Sequence, residues 1–427
     1  MKDEEDLKIG VVGLGYVGLP LAIEFCKAGF PVVGVDKSEE KVEKLQEGET
    51  EITDVDSFAL EGCVADGLLE VVTGYDKLSE VDLISVCVPT PLRKSRSPDM
   101  SFVIEAAESL LEVLVPGQSV VFESTVYPGA TENLILPRLE ESGLKLDKDF
   151  YLAFSPERID PGNEEHRISD IPKVVGGVTK DSTEKVAEVY EKVFDEVFPV
   201  ESSIEAELAK LLENTYRAVN IGLINELAQI AEHMGADIWN VIDAASTKPF
   251  GYEPFYPGPG LGGHCIPIDP LFLSWASKMN GSPSKFIELA DEINRKMPDY
   301  ILNRIIDILN QQEKALSNSR IMILGVAYKA NVNDTRESPA IEIIKKLKDK
   351  GAIVEFSDPF VNKIEIEDEI LNSVEIDDSI LSKQDLVVIV TDHNEVDYKW
   401  IAENSELLFD TRNATGELAN LEKIYRL

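Results

Sequence analysis

Residues 7–29, "LKIGVVGLGYVGLPLAIEFCKAG", decide the fold of the chain. The apolar run "LKIGVVGLG" predicts a buried strand that enters a glycine turn, and "LPLAIEFCKAG" predicts the helix that follows it. Between them, Gly13, Gly15 and Gly18 spell G-x-G-x-x-G. In such a unit the first glycine permits the tight turn, the second lets a pyrophosphate approach the backbone, and the third lets helix and strand pack closely. The stretch predicts a dinucleotide site, and glycines that serve only the turn are the alternative.

The next predicted strand, "PVVGVD", ends in Asp36. A carboxylate at this position accepts hydrogen bonds from the two hydroxyls of a ribose and repels a 2′-phosphate. Asp36 therefore favours NAD over NADP as the cofactor. Free N–H groups at the start of the helix offer partial positive charge to the cofactor's phosphates.

Two further apolar runs, "VDLISVCVPTP" and "GQSVVFESTVYPG", predict buried strands that end in polar loops. This alternation is typical of a doubly wound parallel sheet, whose ligands lie beyond the carboxyl ends of the strands. Thr90 and Thr125 follow these two strands. Each of them either borders the cofactor or caps its own loop.

A long helix and a second α/β unit make up the rest of the chain. The segment "SSIEAELAKLLENTYRAVNIGLINELAQIAEHMG" predicts a helix with serine at its N-cap and Gly235 just past its end, and its length suits a connector with a dimerisation face. From Arg320 onwards strand and helix patterns alternate again, and Asp358 closes the second strand there as Asp36 does earlier. The later turn lacks the three-glycine spacing, so we expect no second dinucleotide.

The predicted fold class is α/β, with two Rossmann-like doubly wound parallel-sheet domains joined by a central helical domain that contains the long connecting helix. The predicted boundaries are 1–201 for an NAD-binding domain, 202–315 for the central helical and dimerisation domain, and 316–427 for the C-terminal Rossmann-like domain.

Composition excludes several classes of partner. The formal net charge of −38 argues against binding to nucleic acid or to an anionic membrane. The sequence contains neither a transmembrane-length apolar run nor a signal-peptide pattern, so no membrane association is predicted. The four cysteines are far apart and indicate reduced thiols in a cytoplasmic protein rather than a disulfide framework.

Cys265 lies in an unusual segment, "PGPGLGGHCIPIDP", residues 257–270. Its glycines let the backbone wrap around a substrate, and its prolines restrict the loop. In a chain with an NAD site, Cys265 is a candidate covalent nucleophile. A structural cysteine is the alternative, and it suits the remaining three, Cys26, Cys63 and Cys87, better. Metal binding by His264 and Cys265 is disfavoured because neighbouring side chains of an extended chain point apart, so no metal is predicted.

The chain resembles the UDP-glucose/GDP-mannose dehydrogenase family over essentially its whole length. The resemblance is carried by "GLGYVGLP", "VPTP", "ESTVYPG", "SPERIDPG", "AKLLENTYRAVNIGLINE", "GPGLGGHCIPIDP" and "GVAYKANVNDTRESPA". Within the family it is most similar to the UDP-N-acetylglucosamine 6-dehydrogenases, through "TPLRKSRSPDMSFV" and "TKPFGYEPFYPGPGLGGHC". The UDP-N-acetylmannosamine dehydrogenases come next, but they carry a His-Pro-Arg element where this chain has "TKPFGYEPF".

The resemblance implies a four-electron oxidation of the sugar's C6 alcohol to a carboxylate, with two NAD used in succession and without release of the aldehyde. A thiolate makes the second oxidation possible because it converts the aldehyde into a thiohemiacetal, whose oxidation gives a thioester that water hydrolyses. UDP-N-acetylglucosamine is the preferred substrate on this interpretation, followed by UDP-N-acetylmannosamine and then UDP-glucose.

Residue roles follow from the same resemblance. Lys210, Asn214 and Arg217 share one face of the long helix, where an ammonium and an amide stabilise a developing alkoxide. The catalytic residues that the resemblance implies are Cys265, Lys210, Asn214, Asp269, Glu157 and Thr125. The implied cofactor-binding residues are Gly13, Gly15, Tyr16, Val17, Gly18, Asp36, Lys41, Thr90, Thr125 and Arg336. The implied nucleotide-sugar-binding residues are Arg158, Ile159, Lys210, Asn214, Arg217, Tyr256, Gly262, Tyr328, Lys329 and Arg412.

Two other functions stay open at this point. One is a two-electron alcohol dehydrogenase with the same cofactor, and the other is an NAD- or UDP-sugar-binding regulator whose loop is inert. The predicted partners are a UDP-sugar and further copies of the chain, in a homodimer or a larger homo-oligomer.

Three histidines, His166, His233 and His393, have no partner that the sequence identifies, and solvated or capping roles are expected for them.

Overall fold

The computed structural model describes residues 7–52, 55–158, 168–263, 265–367, 369–416, 418 and 421–427. The chain divides into two compact units. The first covers Met1–Glu213 and Leu271–Pro283, and the second covers Asn214–Pro270 and Ser284–Leu427. The three-domain division given above stays a prediction.

Short apolar runs form the strands of the first unit, which are β1 (Ile9–Val12), β2 (Val32–Val35), β3 (Leu69–Val72), β4 (Leu83–Val86), β5 (Gln118–Phe122), β6 (Phe150–Phe154), β7 (Lys173–Gly177) and β8 (Val197–Val200). Within the described residues they form one sheet in the order β3-β2-β1-β4-β5-β6-β7-β8. Every residue of β1 and β4 is buried, as expected for central strands covered on both faces.

The direction of β7 departs from the predicted parallel sheet. Pairing is parallel from β3 to β6, but β7 runs antiparallel to β6, with Ala153 opposite Gly177. β8 is again parallel to β7. The reversal brings the first residue of β7, Lys173, to the edge of the sheet at which β5 and β6 end.

The helices of the first unit are α1 (Gly18–Lys27), α2 (Glu39–Gln46), α3 (Ser57–Ala65), α4 (Ser101–Leu110), α5 (Leu136–Leu139) and α6 (Lys180–Tyr190). Side-chain N-caps start several of them because an unpaired N–H at a helix start needs an acceptor. Ser38 accepts from Lys41 N at α2, Asp56 accepts from Phe58 N at α3, and Thr179 starts α6 in the same way.

The predicted long helix is confirmed as α7 (Ser203–His233), which begins in the first unit and ends in the second. Ser202 Oγ accepts a hydrogen bond from Glu205 N at its start. Gly235, just past its end, has φ of +72°. A glycine stops the helix there because that backbone conformation is costly for residues with a Cβ.

The later helices are α8 (Ile238–Ser246), α9 (Asp269–Met279), α10 (Lys285–Gln311), α11 (Pro339–Asp349), α12 (Asp378–Leu381) and α13 (Tyr398–Asn404). The strands of the second unit are β9 (Arg320–Leu324), β10 (Ile353–Ser357), β11 (Lys363–Ile366), β12 (Glu369–Asn372), β13 (Leu386–Ile389), β14 (Leu408–Asp410) and β15 (Ile424–Arg426). In the described part of this unit, a parallel sheet has the order β10-β9-β13-β14-β15, and β11 pairs antiparallel with β12. The predicted second Rossmann-like sheet is confirmed.

Candidate active site

The glycine turn after β1 has the geometry that a dinucleotide site requires. Gly13 has φ of +88°, and a Cβ built on it would lie 2.5 Å from the Cys87 carbonyl oxygen. A Cβ on Gly18 would lie 1.9 Å from the Gly13 carbonyl oxygen, so only glycine lets α1 pack this closely. By contrast, a Cβ on Gly15 would meet no heavy atom of the described residues within 4 Å. The turn therefore offers open space at Gly15, where a pyrophosphate would lie.

Asp36 follows β2 and is held beside this turn. Its Oδ2 accepts from Leu14 N at 3.0 Å and from Lys41 Nζ at 2.7 Å, and its Oδ1 accepts from Ser38 N at 3.1 Å. The predicted residues Asp36 and Lys41 are thus in direct contact. The remaining predicted cofactor contacts of the first unit lie after strand ends: Tyr16 and Val17 precede α1, Thr90 is buried after β4, and Thr125 is half-buried after β5.

The loop that carries Thr125 is tied to α7 by Glu207. The buried Glu207 carboxylate accepts from Gly129 N at 2.5 Å, from Thr131 N at 2.9 Å and from Thr131 Oγ1 at 2.6 Å. Glu207 was not predicted as a site residue, because a glutamate in a helix is ordinarily solvated. Its spacing three residues before Lys210 was the available signal, since this spacing puts both on one side of the helix.

Glu157 and Lys210 meet within the first unit. Glu157 lies in "SPER" after β6 and is only 6% exposed. The Lys210 ammonium, also buried, donates a hydrogen bond to the Glu157 carbonyl oxygen. Arg158 donates from its backbone N to the Glu157 carboxylate at 2.6 Å, and its guanidinium pairs with Glu213 at 2.9 Å. Ile159, another predicted substrate contact, lies outside the described residues, as does His166.

Asn214, Asp269 and Cys265 come together in the second unit. Asn214 lies one turn after Lys210 on α7, and its Nδ2 donates to Asp269 Oδ2 at 2.7 Å. Asp269 is almost fully buried at the start of α9 and donates its backbone N to the Cys265 carbonyl oxygen at 2.8 Å. Cys265 is half-buried, whereas Cys26, Cys63 and Cys87 are buried and carry no disulfide. The expectation of structural roles for those three is consistent with their burial.

The loop before Cys265 packs against Tyr328, a predicted substrate contact, and against Arg336, a predicted cofactor contact. A Cβ on Gly262 would lie 2.7 Å from Tyr328 Cβ, and Gly263 N donates to the Arg336 carbonyl oxygen at 3.0 Å. The Arg336 guanidinium pairs with Asp334 at 2.6 Å. A glycine is required at 262 because a larger residue would displace the segment around Tyr328.

A buried amide pair fixes the start of the same loop. Asn225 Oδ1 accepts from Gly258 N at 2.9 Å, and its Nδ2 donates to Asn294 Oδ1 at 2.9 Å. Arg412, a predicted substrate contact, covers Gly258, because a Cβ built there would lie 2.6 Å from its Nη1. Arg412 Nε donates to the Val390 carbonyl oxygen at 2.8 Å.

The other predicted substrate contacts are less enclosed. Arg217 is exposed on α7, and Lys329 is half-buried beside Tyr328. Tyr256 is exposed and stacks on Trp239 with ring centroids 5.9 Å apart.

His393 has partners that sequence analysis did not identify. It is fully buried, its Nε2 lies 3.1 Å from Asp358 Oδ2, and its Nδ1 lies 3.0 Å from Asn331 N. A backbone N–H can only donate, so Nδ1 is the acceptor, and Nε2–H donates the hydrogen bond that Asp358 Oδ2 accepts. The expectation of a solvated or capping histidine was therefore wrong here. His393 and Asp358 hold the segment that includes Tyr328, because Asp358 also accepts from Val326 N. His233, by contrast, is exposed, with Nδ1 2.6 Å from the Gln229 carbonyl oxygen.

In the part of the chain that the structure describes, no group of three or more His, Cys, Asp or Glu side chains is placed to hold a metal ion. In the same residues, no helix has the length and apolar character that crossing a membrane requires.

Comparison with known proteins matches three successive segments of the chain to one family. Its residues 7–194, 204–296 and 322–417 match, in this order, the NAD binding domain, the central domain and the UDP binding domain of the UDP-glucose/GDP-mannose dehydrogenase family.

Individual relatives carry different sugars in their names. The chain is 38% identical to UDP-N-acetyl-D-glucosamine 6-dehydrogenase of Pseudomonas aeruginosa, over 84% of each chain. It is 36% identical to UDP-N-acetyl-D-mannosamine dehydrogenase of Methanococcus maripaludis, over 96% of this chain and 94% of that one. Among solved structures, the UDP-D-ManNAc dehydrogenase of Pyrococcus horikoshii superposes with a TM-score of 0.90 at 31% identity, covering 98% of this chain and 99% of that one.

The glycine turn with Asp36 fits NAD, and the family's NAD-binding domain covers it. Motifs, fold and relatives therefore agree, and the chain belongs to the UDP-glucose/GDP-mannose dehydrogenase family as an NAD-dependent nucleotide-sugar dehydrogenase.

Proposed function

We propose that the chain oxidises the C6 alcohol of a UDP-N-acetylhexosamine to the uronic acid, with UDP-N-acetylglucosamine preferred. The observation that carries this proposal is the arrangement around Cys265, which is half-buried. The backbone N of the buried Asp269 donates to the Cys265 carbonyl oxygen, and the Asp269 carboxylate accepts from Asn214. The two kinds of relative support an N-acetylhexosamine. The preference for glucosamine rests on "TKPFGYEPF", which replaces the His-Pro-Arg element of the mannosamine enzymes.

The proposed chemistry oxidises C6 of the bound sugar twice, first from the alcohol to the aldehyde and then to the level of the acid. NAD, when bound at the turn of Gly13, Gly15 and Gly18, supplies the hydride acceptor for each oxidation. In the first oxidation C6 loses a hydride and its hydroxyl loses a proton, which gives the aldehyde. The Cys265 thiolate then forms a C–S bond to C6, and the carbonyl oxygen takes up a proton and becomes the hydroxyl of a thiohemiacetal. In the second oxidation this hydroxyl loses its proton and a second hydride leaves C6, which gives the thioester.

Hydrolysis completes the reaction. Water adds to the thioester carbon, the C–S bond breaks, and the sulfur leaves as a thiolate. In sum, one alcohol, two NAD⁺ and one water give one carboxylate, two NADH and three protons. We assign Asp269 and Glu157 to proton transfer from this water, since buried carboxylates serve as general bases. We assign Lys210 and Asn214 to the oxygen on C6, because preorganised donors stabilise a developing alkoxide.

The test is a panel of UDP-hexoses with NADH and sugar acid counted for each. We expect two NADH per sugar acid, with UDP-N-acetylglucosamine the best substrate. Cys265→Ser should lower acid formation by about 10²–10⁴-fold, the range that loss of a catalytic group produces. Cys63→Ser, a buried thiol outside the site, is the matched control and should keep the wild-type rate.

Other outcomes identify the alternatives. One NADH per sugar with release of aldehyde identifies a two-electron alcohol dehydrogenase. Binding of UDP-sugars without turnover of any identifies a regulator. A better rate with UDP-N-acetylmannosamine overturns only the sugar preference.

We also propose that the chain forms a homodimer through α7 and α8. Large apolar side chains are exposed along one stripe of α7, just past its end and on α8: Leu223, Leu227, Ile230, Met234 and Val241. They line a groove of about 410 Å³, and Phe255 is another of its lining residues. A stripe of this kind on one long helix suits an isologous interface with a second copy, because both copies offer the same surface. Ile230→Glu should give a folded monomer in analytical ultracentrifugation, and a wild-type chain that sediments as a monomer overturns the proposal.

The cytoplasm is the proposed compartment, because the reaction needs Cys265 as a reduced thiol. Cell fractionation tests this, and recovery of the protein outside the cytoplasmic fraction overturns it.

A further inference from the structure

The reversed strand β7 places a lysine where a parallel strand would not. β5 and β6 are parallel, and Glu123 and Glu157 follow their carboxyl ends. Because β7 is antiparallel to β6, its amino end lies at this same edge of the sheet, and Lys173 is its first residue. Ligand-binding residues of α/β sheets gather at this edge.

Lys173 bridges the two carboxylates. Its Nζ lies 2.5 Å from Glu123 Oε2 and 2.7 Å from Glu157 Oε2. All three side chains are buried, and the lysine residue is only 4% exposed. Burial opposes the charge of the Lys173 ammonium, but Glu123 and Glu157 outweigh burial and hold its pKa above the ordinary value. We call Lys173, Glu123 and Glu157 the Lys173 cluster.

Glu123 has two further hydrogen-bond partners in the first unit. Its Oε1 accepts from Ser85 Oγ at 2.8 Å and from Tyr190 OH at 2.5 Å. Lys173 Nζ also lies over the ring of Tyr190, 5.7 Å from its centroid. These contacts hold the Lys173 ammonium in place. Buried residues of the first unit therefore determine how Lys173 meets Glu157.

A stabilising role alone explains the cluster poorly. Replacing a buried ion pair by apolar side chains of similar volume is often neutral or stabilising, so stability does not require these charges. Glu157, however, is the member that the proposed function uses. Its carboxylate oxygens bind Lys173 Nζ and Arg158 N, while its carbonyl oxygen accepts from Lys210.

We propose that Lys173 is a positioning residue that keeps the Glu157 carboxylate ionised and oriented for proton transfer. This inference rests on the proposed function of Glu157. The effect is expected on kcat and on its pH dependence rather than on affinity for the sugar, because Lys173 acts through Glu157.

The decisive variant conserves the charge of the cluster. Lys173→Met alone leaves two buried carboxylates without their cation and is expected to lower thermal stability. In the double variant Lys173→Met/Glu123→Gln, the formal charge of the cluster is again −1, and most of the stability should return. If Lys173 positions Glu157, kcat should nevertheless stay about 10–100-fold low, which is less than the roughly 10²–10⁴-fold that loss of the whole general base would cost. The acid limb of the kcat profile should also move to higher pH, because a buried carboxylate without its cation takes up a proton more readily.

Two single variants complete the set. Lys173→Arg keeps the charge and offers a fork to both carboxylates, so it should retain the wild-type acid limb. Lys314→Met is the control, because Lys314 bridges two carboxylates elsewhere, 2.8 Å from Asp385 and 3.6 Å from Glu406. It should lower stability without any change in the pH profile.

The outcomes separate the two proposals. A double variant with wild-type kcat and pH profile overturns the positioning role, and so does a displaced acid limb in Lys173→Arg. If Glu157→Gln itself keeps the wild-type rate, the role of Glu157 in the proposed function fails instead.

Discussion

The two α/β halves of the chain build the same turn and use it differently. After β1, Gly13 adopts positive φ beneath the Cys87 carbonyl oxygen, and after β9, Gly325 does so at φ of +79°, where a Cβ would lie 2.3 Å from the Thr391 carbonyl oxygen. In both halves the aspartate that ends the second strand accepts the N–H just after this glycine, Asp36 from Leu14 and Asp358 from Val326.

The difference lies in what surrounds the two aspartates. Asp36 keeps partial exposure and pairs with Lys41, and α1 begins soon after the turn, at Gly18. Asp358 is buried, and its oxygens accept from the backbone of Phe360 and from His393. The helix of the second half begins only at Pro339, far along the chain from its glycine. The first half thus keeps a carboxylate and a helix start accessible to a cofactor. In the second half the carboxylate accepts hydrogen bonds from the protein itself and organises a loop.

The largest effect expected from this difference is the loss of folding stability when Asp358 is substituted. Asp358→Asn turns an amide N–H₂ toward backbone donors and removes the charge that His393 faces, which should cost about 2–4 kcal/mol of unfolding free energy. Asp36→Asn should cost less than about 1 kcal/mol and weaken NAD binding by about 10–100-fold, the value of a hydrogen bond to a charged group. Urea denaturation and calorimetric titration with NAD measure the two effects, and equal losses of stability would refute the distinction.

The glycines of the two turns should divide by the space around them, with somewhat smaller effects. Gly325→Ala and Gly13→Ala each force a Cβ onto a carbonyl oxygen at positive φ, so each should destabilise the chain by about 1–3 kcal/mol. Gly15→Ala has open space and should change stability by less than about 1 kcal/mol while it weakens NAD binding. Melting temperatures and NAD titrations of the variants give the comparison. A strongly destabilised Gly15→Ala would show that the space at this turn is not available to a phosphate.

The smallest expected effect is the loss of folding stability in acid to which Asp358 contributes. Burial raises the pKa of Asp358, but His393 and the Val326 N–H outweigh burial, so the net pKa is lowered. A lowered pKa means that the unfolded chain binds the proton more tightly. The stabilisation is therefore present above about pH 4 and is lost as the pH falls through the lowered pKa, at no more than about 1.4 kcal/mol per pH unit. Between about pH 5 and pH 3 the wild type should lose more stability than Asp358→Asn, and parallel losses would contradict this assignment.

Much of this architecture was predictable because its signals are local. The glycine spacing, the acidic end of β2 and the cap and stop signals of α7 lie within single segments, and the structure has the corresponding elements. The direction of β7 was not predictable, because a short apolar run has the same pattern whichever way the strand runs.

The residues that sequence analysis missed depend on contacts between distant segments. Lys173 is separated from Glu123 by fifty residues, and a lysine at a strand start ordinarily points into solvent. His393 meets Asp358 and Asn331 only after three loops have come together. The sequence supplied the residue types of the site, but the pairing of buried charges follows from topology.

The burial of three of the four cysteines offers a way to measure the concentration of active sites. All four cysteines lie in the described part of the chain, and three of them are buried, with burial raising the pKa of Cys26, Cys63 and Cys87. An alkylating reagent applied briefly to the folded protein should therefore modify one sulfur per chain, at Cys265, because alkylation needs an accessible thiolate. The moles of label bound would report the concentration of intact sites in any preparation, so that turnover can be expressed per working molecule rather than per milligram.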